Sequence, residues 1–309
     1  MIDTRKSTAY HPALLLVFLV LISAVAAIVF TLIGTAVWFF TDSNASLATF
    51  GSATTTGNIA FIRILQIFST FGLFIVGPIA YSFLAKVKAK HYFCFDEKIN
   101  WNLFFVVVTL MFCSSALLEW ITTLNQKMSL PSVLHGMEVW MKQKEDEAAE
   151  LTKMLLVMKD YSAFSINLLM IAILPAIGEE LFFRGGIQNI LIQWFKNHHV
   201  AIWVTAILFS AIHLQFYGFF PRMFLGALFG YLMVYGKSIW YAILGHFLNN
   251  GTAVVMAFVM QKQGKSLEEI DKAQPFEWYG YLISAIITLI LLIVFFKIAN
   301  KEEKTISYE

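Results

Sequence analysis

Long apolar runs alternate with short polar ones along this chain. A helix that crosses a hydrocarbon layer needs roughly 20 mostly apolar residues. Runs of that kind fall near residues 13–40, 61–85, 101–124, 162–182, 199–215, 219–236, 239–260 and 278–299. The pattern predicts an all-α, polytopic transmembrane helix bundle of about eight spans, with about half the chain embedded. The fourth run departs from the others. It passes into Glu179-Glu180 and Arg184 before turning apolar again through Trp194, and Pro175 just ahead of the charges predicts a kink.

Two longer stretches are polar. Residues 41–60, with Asp42, Ser43, Asn44 and Thr54-Thr55-Thr56-Gly57-Asn58, read as an exposed loop. Residues 131–160 interleave Lys142, Lys144, Glu145, Asp146, Glu147 and Glu150 with Met137, Trp140, Leu151, Met154 and Leu155. Apolar positions at helical spacing there predict an amphipathic helix or hairpin on the surface, either a solvated connector or a substrate-facing lid. This divides the chain into an N-terminal part, 1–160, of three spans plus the polar connector, and a second part, 161–309, ending in the last span.

Composition removes most other classes. Hydrophobic residues make up 59% and charged residues 14%, with a mean hydropathy of +0.70, against about 25% charged in a soluble domain. A soluble enzyme, a disordered chain and a disulfide scaffold are excluded. A net charge of +2 is too mild to suggest nucleic acid. The apolar run after His11-Pro12 continues to Phe40, too long for a signal-peptide core and without a small-residue cleavage site, so it is expected to be a span. Lys86, Lys88, Lys90, Lys98, Lys196 and Lys237 load the short loops of one side, which favours both termini in the cytoplasm of a cytoplasmic (inner) membrane protein.

Polar groups inside apolar runs are the informative residues. Each Asp, Glu or Arg at a span centre costs about 2.5–3.5 kcal/mol, so Glu179, Glu180 and Arg184 together cost roughly 8–10 kcal/mol before pairing. Glu180 and Arg184 are four apart on one helix face, where a charge pair is available. Glu179 is rotated about 100° away and has no such partner. His213 ends the fifth run, and His246 and Asn250 lie four apart on one face of the seventh. Convergence of Glu179, His213, His246 and Asn250 on one water-filled cavity satisfies all of them.

A carboxylate beside a neutral imidazole can deprotonate water, and a second histidine with a carboxamide can hold a carbonyl oxyanion. Glu179, His213 and His246 are equally a candidate zinc set, although nothing resembles His-Glu-x-x-His. Ser210 is too close to His213 in sequence to make a convincing nucleophile. A proton-coupled transporter using the same groups as a relay is the competing reading. No internal repeat speaks for it.

Glu179-Glu180-Leu181-Phe182-Phe183-Arg184, Phe209 through His213 and His246 through Asn250 read as Glu-Glu-x-x-x-Arg, Phe-x-x-x-His and His-x-x-x-Asn. In that order they resemble the motifs of the CPBP (CAAX protease and bacteriocin-processing) intramembrane proteases, over about residues 160–255. The resemblance implies an intramembrane endopeptidase acting on a membrane-associated peptide or protein. Glu179 and His213 would activate water, His246 and Asn250 would hold the oxyanion, and Glu180 and Arg184 would support them. The mechanism it implies is either zinc-dependent or metal-free. It also admits a non-catalytic, immunity-type peptide-binding protein. Outside these motifs, Glu119 reads as an interfacial carboxylate or a second cavity group. Arg222 reads as an arginine snorkelling to the interface or, less simply, holding a substrate carboxylate. Gly226 and Gly230 read as a close helix contact within the bundle.

Overall fold

The structure is a computed structural model that describes residues 10–42, 45, 58–267 and 276–306. Its described residues form helices and connecting turns, with no strand. Among the described residues, six helices are long and apolar enough to cross a membrane: α1 (Pro12–Thr41), α2 (Ile59–Leu84), α7 (Tyr161–Phe195), the segment Phe216–Gly236 containing α9 (Phe219–Gly236), α10 (Ile239–Lys262) and α11 (Trp278–Ile306). Taken together as one span, the pair α4 (Trp101–Cys113) and α5 (Ser115–Gln126), bent by 44°, makes a seventh. The eighth predicted run is the apolar α8 (His198–Ala211), only 14 residues long, or about 21 Å. The short α3 (Ala89–Tyr92) and the polar α6 (His135–Leu156) complete the set. The chain is an integral, multi-pass membrane protein.

Contacts sort the helix ends into two groups. At one end the His11 ring meets Trp194 at the close of α7, His198 approaches the Tyr235 hydroxyl at 3.4 Å, and the Asn100 amide donates to Tyr241. At the other end Asn125 bonds Phe216 and Phe220, Lys262 donates to the Lys159 carbonyl, and Arg63 donates to the Leu155 carbonyl. α8 joins the two ends despite its length. Left-handed residues make the sharp reversals possible: Lys196 before α8 and Lys237 between α9 and α10.

The bend in the α4–α5 span has an identifiable repair. A broken helix inside hydrocarbon leaves backbone groups that need partners. Ser284 of α11 supplies them, accepting from the Leu117 amide at 3.0 Å while donating to the Cys113 carbonyl. Close backbone approach binds α1 to α2, since a Cβ at Gly72 would lie 2.6 Å from the Ala26 carbonyl oxygen. One apolar core joins α4, α9, α10 and α11 through Val107, Leu232, Ala242 and Phe295. A second joins α1, α7, α8 and α9 through Leu19, Ile187, Ile202 and Ala227. Each core draws on residues from both sides of position 160.

The polar stretch around 131–160 is one helix, α6, with no hairpin. Met137, Val139, Trp140 and Leu151 are exposed and only Leu155 is buried. It is tied down near its C-terminus, where Arg63 and Asn167 donate to the Leu155 carbonyl at 3.0 and 2.6 Å. In mid-helix, Glu145 accepts from the Tyr217 amide at 3.1 Å. Of the predicted loop 41–60, residues 43, 44 and 46–57 lie outside the described residues. Asn58 caps α2 by accepting from the Phe61 amide at 3.1 Å.

Candidate active site

The 35-residue α7 carries the first site residues, and its geometry follows from its sequence. Its helix widens into π-turns over Leu168–Ile173 and Leu181–Gln188, on either side of an α-helical segment, Leu174–Glu180. Pro175 has no N–H for the Ile171 carbonyl four residues back. Asn250 of α10 takes that place, with its Nδ2 donating to the Ile171 oxygen at 3.0 Å. The carbonyl that Pro175 cannot serve thus becomes an anchor for a site residue on another span.

Glu180 and Arg184 are fully buried, with Nη1 2.9 Å from Oε1. Arg184 also donates through Nη2 to the Gly226 carbonyl at 2.9 Å. Its guanidinium lies over the rings of Phe209 and Phe229, 4.7 and 5.6 Å from their centroids. The Gly226 and Gly230 backbone allows this approach. A Cβ at Gly230 would come within 2.6 Å of the Gln188 Oε1 and 2.9 Å of the Ile202 Cγ2. The glycine pair therefore packs α9 against α7 and α8 inside the bundle.

The same Glu180 oxygen accepts a hydrogen bond from His246 Nδ1 at 2.8 Å. A carboxylate only accepts, so Nδ1 carries the proton and Nε2 is directed elsewhere. Nε2 faces Glu179, 3.9 Å from Oε2, beyond hydrogen-bond length. The imidazole is stacked on Phe229, with centroids 5.4 Å apart. His213 is arranged alike. Its Nδ1 donates to the Phe209 carbonyl at 2.8 Å, which leaves Nε2 as the nitrogen available to a neighbour. Leu214, next in sequence, is left-handed and ends the α8 turn there.

Glu179, His213, His246 and Asn250 line a single cavity of about 590 Å³, within the range of small-ligand pockets. Pro175, Phe229 and Leu225 give it apolar walls, and Thr152 and Leu155 of α6 form part of its rim. α6 therefore borders the cavity, which lies toward the end of the bundle opposite the start of α1. Glu180 and Arg184 stand behind the wall rather than in it. Among the described residues no group of three or more His, Cys, Asp or Glu is placed to hold a metal ion.

Two wall residues were not among the expected site. Asn249 precedes Asn250 and donates to its Oδ1 at 3.0 Å, orienting the carboxamide. The sequence signal was present in the Asn-Asn dipeptide, but an α-helix turns neighbouring residues about 100° apart, so adjacency alone does not suggest a shared cavity. Arg222 does not snorkel outward. It lies in the cavity wall and bonds Gln215, because the left-handed turn at Leu214 folds the 215–218 segment back toward the start of α9. Ser210 is consumed by packing, with Oγ donating to the Phe219 carbonyl at 2.6 Å. Glu119 accepts from Tyr281 at 3.3 Å, away from the cavity wall.

Residues 161–252 match the family model described as Type II CAAX prenyl endopeptidase Rce1-like. This stretch is similar to that family. It holds every site residue named above on α7, α8, α9 and α10, while α1 through α6 and α11 lie outside it. No curated protein and no solved structure matches the chain.

Proposed function

We propose that the protein is an intramembrane endopeptidase that hydrolyses a peptide bond in a membrane-associated peptide or protein. The observation that carries this reading is the meeting of one carboxylate and two imidazoles, both presenting Nε2, in a single cavity walled by membrane-spanning helices. The match of this stretch to a family named for endopeptidases supports it.

In the proposed reaction Glu179 takes a proton from water, and His213 Nε2 accepts the water's other hydrogen and orients it. The hydroxide adds to the scissile carbonyl. Asn250 has one amide hydrogen committed to Ile171 and a second free, and that free hydrogen meets the oxyanion. His246 adds a second donor when its Nε2 is protonated, with Glu180 holding its Nδ1. Glu179 then returns the proton to the departing amine, closing the cycle. No step is routed through a metal. Both termini are assigned to the cytoplasm, which puts the cavity toward the opposite face, where α6 lies.

Reconstituted wild-type protein, Glu179→Gln and His213→Ala are to be compared for cleavage of a membrane-anchored peptide pool, read by mass spectrometry. Removing a general base lowers turnover about 10²- to 10⁴-fold. Unchanged turnover in both variants refutes the mechanism.

A further inference from the structure

Arg222 is the one charged wall residue that the proposed chemistry leaves unused. It is the fourth residue of α9 and shares the cavity wall with Glu179 and His213. Nη2 donates to Gln215 Oε1 at 2.6 Å, a neutral acceptor, so the positive charge is oriented without being neutralised. Nη1 is buried and has no hydrogen-bond partner among the described residues. Gly218 leaves room for the group, since a Cβ there would come within 3.2 Å of Nη2. Glu145 and Glu179 are its electrostatic neighbours, yet neither pairs with it, and Glu145 is engaged by the Tyr217 amide.

A buried guanidinium nitrogen with nothing to bond is costly unless a ligand completes it. The planar fork of arginine suits a carboxylate in particular. We propose that Arg222, positioned by Gln215, binds a carboxylate of the substrate peptide and thereby decides which peptides enter the cavity. This rests on the endopeptidase reading above. The carboxylate is either the peptide's free C-terminus or an Asp or Glu side chain, and the two sources share the same chemistry.

The test separates binding from turnover. Full-length Glu179→Gln protein in detergent, with and without Arg222→Gln, Arg222→Lys or Gln215→Leu, is titrated with apolar peptide pools labelled with the uncharged fluorophore nitrobenzoxadiazole. The pools carry a C-terminal acid, a C-terminal amide, or a C-terminal amide with one internal Glu. The Arg222 protein is expected to bind one acidic pool roughly 10- to 100-fold more tightly than the neutral amide. A preference for the first pool identifies the C-terminus, and a preference for the third identifies a side chain. Arg222→Gln abolishes the preference, Arg222→Lys retains part of it, and Gln215→Leu weakens it. Thermal unfolding of each variant shows whether it is folded. Equal binding of the three pools to the Arg222 protein, including no binding, overturns the proposal, as does a preference that survives in folded Arg222→Gln. Turnover measured separately on the Glu179 enzyme tests the peptidase reading alone, because the binding result does not depend on it.

Discussion

Removing Glu180 is the most demanding test of how the buried charges are held. Glu180→Leu strips the fully buried Arg184 of its bonded carboxylate and leaves the guanidinium with the Gly226 carbonyl and two buried aromatic faces. Breaking a buried pair from one side costs about 3–5 kcal/mol. At about 1.4 kcal/mol per tenfold, the folded-to-unfolded ratio falls roughly a hundred- to several-thousand-fold. Arg184→Met alone is expected to cost a similar amount, because it strands the Glu180 carboxylate. The double variant Glu180→Leu with Arg184→Met removes both charges at nearly constant volume. What it leaves behind is the Nδ1–H of His246 without an acceptor, about 1–3 kcal/mol. The double variant should therefore be more stable than either single one. Reversible unfolding by SDS in mixed micelles, followed by far-ultraviolet circular dichroism, measures all four proteins. A double variant that loses the sum of the two singles, about 6–10 kcal/mol, refutes the claim that the pair is one coupled unit.

At His213, glutamine places a polar atom near the position of Nε2, while asparagine restores only the Nδ1 side facing the Phe209 carbonyl. Peptide turnover should therefore fall less in His213→Gln than in His213→Asn, and the reverse order would remove Nε2 from the reaction. Gly230→Ala should cost about 1–3 kcal/mol by overpacking against Gln188 and Ile202. Gly136→Ala at the start of α6, with nothing within 4 Å, should be neutral or gain up to about 1 kcal/mol, both read as shifts in SDS midpoint. Dialysis against a zinc chelator should leave peptide turnover unchanged, and loss of turnover restored by added zinc would reject the metal-free mechanism. In a cysteine-free background, an impermeant thiol reagent applied to intact cells should label Lys142→Cys and spare Lys237→Cys, and the opposite pattern would reverse the orientation assigned to the bundle.

The helices were legible because the apolar runs are long and their ends polar, and the bilayer requirement leaves a chain few other options. The 14-residue α8 was the least legible as a separate length. Its run continues through Ile212 and Leu214, and hydropathy does not register the left-handed turn at Leu214 that ends the helix early. The Glu180–Arg184 pair was legible from i,i+4 spacing alone. The attachment of His246 to Glu180, 66 residues away in sequence, was not, since spacing within one helix says nothing about a partner on another. Of the two readings of Arg222, the snorkelling one failed for a related reason. A charge near the start of a span normally reaches for the interface, and only the fold-back of residues 215–218 turns it inward.

The membrane-embedded charges divide into two sets by whether the protein pairs them. Glu180, Arg184, His246 Nδ1 and the Gly226 carbonyl form a chain of bonds behind the cavity wall that leaves Glu180 Oε2 and Arg184 Nε without a hydrogen-bond partner among the described residues, and the bonds it makes offset part of the insertion cost of the first two. Glu179 and Arg222 stand in the wall with no ion pair closer than the 3.9 Å approach of His246 to Glu179. A membrane protein that only needed its helices joined would have no reason to retain the second set, because each such charge raises the cost of insertion without a bond to offset it. The two sets also depend on each other. The bonded chain fixes the tautomer of His246 and so decides that Nε2 faces Glu179. The unpaired set is tolerable because the cavity of about 590 Å³ has room for water. Chemistry at this site is therefore expected to fail in two separable ways: through Glu180 or Arg184 with loss of the fold, and through Glu179 or Arg222 with the fold retained.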